Sequence, residues 1–216
     1  MTFFGAPRVV RGAIVVIDVA SSAVLRVIAL QYNPDVVTRT LQIHAVGDGR
    51  AERSQPLRLM APPSESIKLD AELDATDQLE VGDARTVSLG IHPQLAALET
   101  LLYPAASDLL ARNQAQRSGT LEIAPMEAPL TLFVWSKQRI IPVRITDLSI
   151  TEEAFDPGLN PLRAKVSLSM KVLSVNDLGF QHKGGSLYMV YQQAKEQLAS
   201  QSPSGPLSAL GIGGIP

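Results

Sequence analysis

The chain contains no cysteine. Thiol nucleophiles, disulfide scaffolds, Fe–S clusters and cysteine-ligated zinc are therefore excluded, while the redox compartment stays open. Aromatic residues make up only 5% of the sequence, with one tryptophan, Trp135. That is too few for a carbohydrate platform or a stacking surface for single-stranded nucleic acid. Charge of one sign is not in excess either: 19 Lys and Arg face 21 Asp and Glu, a formal net charge of −2. A balance of this kind gives no electrostatic footprint for DNA or RNA and no polybasic anchor for anionic lipid. No run approaches the roughly 18 apolar residues of a membrane span, so direct membrane insertion is not expected. Histidine is confined to His44, His92 and His182, far apart and without ligand spacing. Neither a metal nor any other cofactor is expected.

What is present is a globular composition. The 216 residues are 45% apolar and 19% charged, enough for one large domain or one domain with an appendage. Near the start, Arg8 and Arg11 precede an apolar run that ends in Ala20-Ser21-Ser22-Ala23, the outline of a signal peptide. Asp18 cuts that run short, however, and its residues are β-branched, which favours a first strand.

The apolar patterning predicts a mainly β chain with flanking helices, an α+β fold. Residues 9–19 and 25–32 read as a hairpin whose strands are apolar at nearly every position and so covered on both faces. Asn33-Pro34-Asp35 is a turn signal, and residues 41–46 form a short strand before the Gly47-Asp48-Gly49-Arg50 turn. Residues 66–74 alternate, with Ile67, Leu69, Ala71 and Leu73 on one face. A helix is expected over 93–103, opened by Pro93 and stopped by Pro104. A second helical piece over 107–116 would be capped by Ser107.

Two strands follow, over 130–136 and 139–151. In the second, Ile141, Val143 and Ile145 share one parity while Leu148 and Ile150 take the other, which predicts a β-bulge near Thr146-Asp147. After a turn over 156–161, residues 162–173 alternate strictly, completing a long hairpin with a Pro/Gly-rich tip. Gly184-Gly185 then separates a final helix over 186–199. Its apolar face is expected to comprise Leu187, Val190, Tyr191, Ala194 and Leu198. The residues from Ser200 onward are rich in Ser, Pro and Gly. The chain thus divides into a β domain over 1–180 and a helix-plus-tail region over 181–216.

No catalytic constellation stands out, and no enzymatic activity is expected. His44 lies in a strand-like run without a second ligand at coordinating distance, and His92 reads as a residue that opens a helix. Glu152, Glu153 and Asp156 suggest paired carboxylates, but acidic residues beside a hairpin turn are ordinarily just solvated. The glycine-rich stretches at 47–49 and 211–214 do not stand between a strand and a helix, so neither is a phosphate loop. Phe133 and Trp135 share a strand face, where core packing is expected.

Three segments resemble the tube-type baseplate proteins of phage-tail-like contractile injection systems, in particular the tube-initiator family. The first is Leu30-Gln31-Tyr32-Asn33-Pro34-Asp35-Val36-Val37-Thr38-Arg39, similar to the segment that ends an early strand in that family. The second is the alternating run 66–74 followed by the helical region 90–103. The third and most specific joins Leu132-Phe133-Val134-Trp135, Ile141-Pro142-Val143-Arg144-Ile145-Thr146-Asp147-Leu148-Ser149-Ile150 and the turn and strand over 155–170, which resembles the family's closing hairpin. The chain departs from the family at its C-terminal end, where a helix and tail stand in place of a LysM module.

The resemblance implies a tail-tube-like β-barrel or sandwich with a long hairpin that pairs between subunits. It implies a structural, non-enzymatic ring, a homohexamer, that joins the spike or baseplate hub to the inner tube as a tube initiator or adaptor. Its implied partners are further copies of itself, the inner tube protein, the spike or hub protein and baseplate or sheath components, with no nucleic acid among them. Assembly in the bacterial cytoplasm, within a particle later released or membrane-anchored, follows from the same resemblance. Arg144, Thr146, Arg163, Lys165, Ser167, Ser169 and Lys171 would line the interface or lumen. Leu187, Val190, Tyr191 and Leu198 would form the helix's contact face. The alternatives are a bulk inner-tube subunit or a free-standing β-sandwich binding module.

Overall fold

The computed structural model of the protein describes residues 10–44, 59–119, 128–205 and 207–215. Its centre is one seven-stranded antiparallel sheet in the order β2-β1-β5-β6-β7-β4-β3. The strands are β1 (Ala13–Ile17), β2 (Val24–Ala29), β3 (Val37–Gln42), β4 (Ser64–Asp74), β5 (Leu130–Ser136), β6 (Arg139–Phe155) and β7 (Pro161–Val172). Among the described residues the sheet does not close on itself. Its edge strands β2 and β3 stand at opposite ends, so the barrel or sandwich expected above is not formed within one chain.

The hairpins form where turn chemistry meets β-branched runs. β1 and β2 are joined by a turn in which Asp18 accepts from both the amide and the hydroxyl of Ser21. β6 and β7 make the long hairpin, and its register shifts between Ile145 and Asp147, where the apolar parity changes. The extra residue restores Leu148 and Ile150 to the face of Ile141 and Val143. At the tip, Asp156 accepts from the backbone N–H of Asn160 at 2.8 Å and from its Nδ2 at 2.8 Å, an arrangement that tightens the turn.

The early strand after the 33–35 turn lies earlier than expected. It spans Val37–Gln42, where Val37 and Arg39 face inward; the anticipated Gly47–Arg50 turn lies outside the described residues.

The helices differ from expectation at their ends. Two short ones, α1 (Thr76–Glu80) and α2 (Ala84–Leu89), precede α3 (His92–Glu99), which stops short of 103. In α4 (Ala106–Arg117) Ser107 is not the cap: Ala105 holds that position, and no side chain caps the helix. After α5 (Val175–Leu178), α6 (Lys183–Ser200) begins before the glycine pair rather than after it. His182 caps it, its Nδ1 accepting from Gly184 N–H at 3.0 Å. The glycines are needed inside the helix for close approach. A Cβ at Gly185 would lie 1.9 Å from the Gly179 carbonyl oxygen.

Buried residues form three apolar clusters. The main one joins Ile14, Phe133, Ile141, Met170, Ile67 and Leu69 to Tyr188 and Tyr191 of α6. A second lies under α3, around Ile91, Leu95, Leu98, Ala164 and Val166. The third sits on the opposite face of β1 and β5, where Ile17, Leu130 and Leu132 meet Leu178 and Leu187. β1 is thus covered on both faces, as its all-apolar sequence predicts. β2 is not: Val24, Leu25 and Val27 are exposed.

Candidate functional site

Alternation along β4 and β7 sends Ile67, Leu69, Ala71 and Leu73, with Ala164, Val166, Leu168 and Met170, into the core. Their neighbours in sequence make a continuous polar face. Across the strands the register aligns Asp74 with Arg163 and Glu153, and Glu72 with Lys165 and Thr151. Further along, Asp70 aligns with Ser167 and Ser149, Lys68 with Ser169 and Asp147, and Ser66 with Lys171 and Arg144. Acids and bases alternate, so the face is wet and nearly neutral.

Several of its charges are paired. Arg163 Nε donates to Asp74 Oδ2 at 2.8 Å, Lys165 Nζ to Glu153 Oε1 at 2.9 Å and Lys171 Nζ to Asp177 Oδ1 at 2.8 Å. The hydroxyl of Ser167 donates to Asp70. The amide and hydroxyl of Thr76, with help from Arg163, hold the Asp74 carboxyl below its ordinary range. Glu153 in turn raises the Lys165 ammonium. Tyr32, Glu72, Asp74, Glu153, Arg163 and Lys165 line a shallow depression on this face.

The residues read from sequence as a lumen or interface set therefore gather on one surface. Arg163, Lys165, Ser167, Ser169, Lys171 and Arg144 lie on it in register, and Thr146 is the exposed residue of the bulge. The helix set does not gather. Tyr191 is buried in the main cluster and Leu187 half-buried in the third, while Val190 and Leu198 are exposed. Tyr188, absent from the expected face, is buried instead: the helix packs through Gly184, Gly185, Tyr188 and Tyr191.

Beside the polar face, β6 has an open edge. β5 pairs with it only over Arg139–Val143, although β6 runs on to Phe155. Among the described residues nothing bonds to the side of 144–155 that faces away from β7. At the far end, among the described residues, β3 has a free edge too. Inward-facing Ile145, Leu148 and Ile150 stay half-exposed along the open stretch of β6.

The segment 30–39 has a specific structural role. Gln31 bridges to β4, accepting from Asp74 N–H at 2.9 Å and donating to its carbonyl at 2.7 Å. Asn33 holds the approach to β1 through Gly12 N–H and the Val10 carbonyl, each at 2.8 Å. Arg39 reaches Glu65, a carboxylate only 3% exposed. Burial raises the Glu65 pKa, but hydrogen bonds and charge from Lys195 and Arg39 outweigh it and leave the group below its ordinary value.

Among the described residues no catalytic groups converge elsewhere. Among the described residues no group of three or more His, Asp or Glu could hold a metal ion. Glu153 is engaged with Lys165 across the hairpin and Asp156 with Asn160 in its turn, so the two carboxylates do not share a site. His44 Nε2 lies 2.8 Å from Ser64 Oγ, His92 opens α3 and His182 caps α6. Phe133 and Trp135 stack at 5.8 Å in core packing. No described helix is long and apolar enough to cross a membrane.

No protein-family model matches the sequence, and no characterised protein matches it. Among solved structures, the chain is similar to a chain of the virion of a native gene transfer agent (GTA) particle, at 14% identity and a TM-score of 0.30. That match covers 74% of this chain and 89% of the other. It is also similar to a chain of the tail of an empty GTA particle computed with C6 symmetry, at 14% identity and a TM-score of 0.29, covering 74% and 90%. At scores this low, neither fold nor function is carried over from these chains.

Proposed function

We propose that this chain is a structural, non-enzymatic subunit of a phage-tail-like contractile injection particle. Copies of it form a ring, a hexamer in the family it resembles, that joins the spike or baseplate hub to the inner tube as a tube initiator. In this reading residues 1–180 supply the ring body, and 181–216 supply a helix and tail turned toward the baseplate. Val190 and Leu198, exposed on the outer side of α6, are its candidate contacts there.

The observation that carries the reading is the unpaired stretch of β6 over 144–155, beside a polar face and opposite the free edge of β3. A strand edge of that length is a liability unless it is covered. Laying β3 of one copy along this edge of the next would satisfy both edges. Repeated head to tail, the contact closes into a ring and completes a barrel that one chain leaves open. Arg144, Arg163, Lys165, Ser167, Ser169 and Lys171 would then line one wall of a water-filled lumen.

The test is to tag the chain in its native host, purify it and image the eluate by negative-stain electron microscopy. The expected result is sheathed rods or baseplate fragments carrying the tag at one end. Tag along the whole inner rod would replace the initiator reading with a bulk tube subunit. A lone monomer from a lysate that contains such particles would overturn both.

A further inference from the structure

We infer that Glu65 couples the docking of the C-terminal helix α6 to the edge strand β3, so that helix and edge are held or released together. Glu65 sits on the inward face of β4, at the end of the apolar series Ile67, Leu69, Ala71 and Leu73. Its partners come from two different elements. From β3, Arg39 Nη2 lies 2.6 Å from Oε1. From α6, Lys195 Nζ lies 3.0 Å from Oε2, and the Tyr191 hydroxyl donates to Oε1 at 3.1 Å. Arg39 also donates to the Tyr191 oxygen at 2.9 Å, and the Lys195 ammonium stands 4.0 Å above the Tyr191 ring.

A carboxylate this buried is tolerable only while its charge is matched. If α6 lifts, it removes Lys195 and Tyr191 and leaves Arg39 alone with Glu65. If β3 peels away, it removes Arg39 and leaves only Lys195 and the Tyr191 hydroxyl on the carboxylate. Each loss makes the remaining contact carry an under-compensated charge, so the two dockings share a free energy instead of adding independently. Little else ties β3 down on this face, where Leu41 is exposed and Val37 half-buried.

The coupling stands on contacts within one chain; only its consequence for assembly rests on the ring reading. There, a neighbour's strand laid on β3 would hold Arg39 in place and thereby tighten α6. Ring formation at one surface would then be felt at the helix that faces the baseplate.

Residue-resolved hydrogen exchange on the full-length chain, dilute enough to be monomeric, tests this apart from any ring. Lys195→Met alters α6 alone, yet the amides of 37–42 in β3 should exchange on the order of tenfold faster. Arg39→Met should speed the amides of 191–198 in α6 by a similar factor. Amides of 130–136 in β5 should not change in either variant. In a Glu65→Gln background the effect of Lys195→Met on β3 should vanish, and that of Arg39→Met on α6 should shrink to what the direct Arg39–Tyr191 bond carries; if that chain does not fold, the two single variants decide. Acceleration confined to the substituted element, or spread equally to β5, would overturn the inference. A chain that never forms rings can still show the coupling, and a ring-former can lack it.

Discussion

At one end of the sheet, β1 and β5 are packed on both faces, with the main cluster on one side and Leu178 and Leu187 on the other. At the other end, β6 beyond Val143, with β7, β4 and β3, is packed on one face only. Its second face is polar, and both its outer edges are unpaired among the described residues. The same chain thus packs its sheet fully around β1 and β5, while β2 stays exposed at one edge and the polar half stays open at the other. A polar face needs water and an open edge needs a strand, and in the proposed ring further copies of this chain would supply the strand while enclosing the water.

If that contrast is right, substitutions should separate the halves. The largest effect is expected in the finished half. Phe133→Ala removes a ring buried to 2% exposure and should cost about 3–5 kcal/mol in urea unfolding. Acid should come next. Glu65 lies below its ordinary 4.5, so the stability it contributes is complete above that value and is lost as pH falls through its folded value. Tyr191, pushed up to about 12 by burial and then by Glu65, sets the opposite limit. Its contribution is complete below pH 10 and is lost as pH rises from 10 to about 12. Unfolding free energy followed across pH should therefore show a plateau with both flanks.

Gly185→Ala should cost about 1–3 kcal/mol, because the Gly179 carbonyl and α6 must move apart; loss of α6 helicity on mild heating would report it. On the open half, Ile150→Ala should cost only about 1 kcal/mol in the monomer, since the side chain is half-exposed. The smallest effect is expected for Arg163→Ala. Its pairing with Asp74 lies at the surface, so the urea midpoint should hardly move, and less in high salt than in low.

Much of this architecture was legible in the sequence. Strict alternation fixed the faces of β4 and β7, and the parity change at Ile145–Leu148 located the bulge, because a two-residue period leaves no freedom once one face is buried. The polar set on β7 followed from the same rule. The helix ends were not legible. Ser107 has the chemistry of a cap, yet the backbone turned in two residues earlier. Gly184-Gly185 looks like a break, because the carbonyl of Gly179 that demands small residues there is a tertiary neighbour. The buried face of α6 keeps the expected Tyr191, adds Tyr188 and leaves Val190 and Leu198 exposed.

The Glu65 network had one faint signal: a charged residue in the apolar parity of β4. What answers that charge comes from Arg39 and Lys195, far away along the chain, and no local pattern links them. Strand order was equally hidden. That β5 covers only the first residues of β6 is a fact of register, and it is this fact that leaves the long edge open.

The most direct measurement is amide exchange along β6, by NMR, as the chain is concentrated from monomer to assembly. The amides of 139–143 that bond to β5, Pro142 having none, should be protected throughout. The amides of 144–155 that do not bond to β7 should exchange freely in the monomer and become protected on assembly, in step with those on the outer edge of β3. If they are already protected in the dilute monomer, or remain free in the assembled particle, the open edge is not where copies of this chain join.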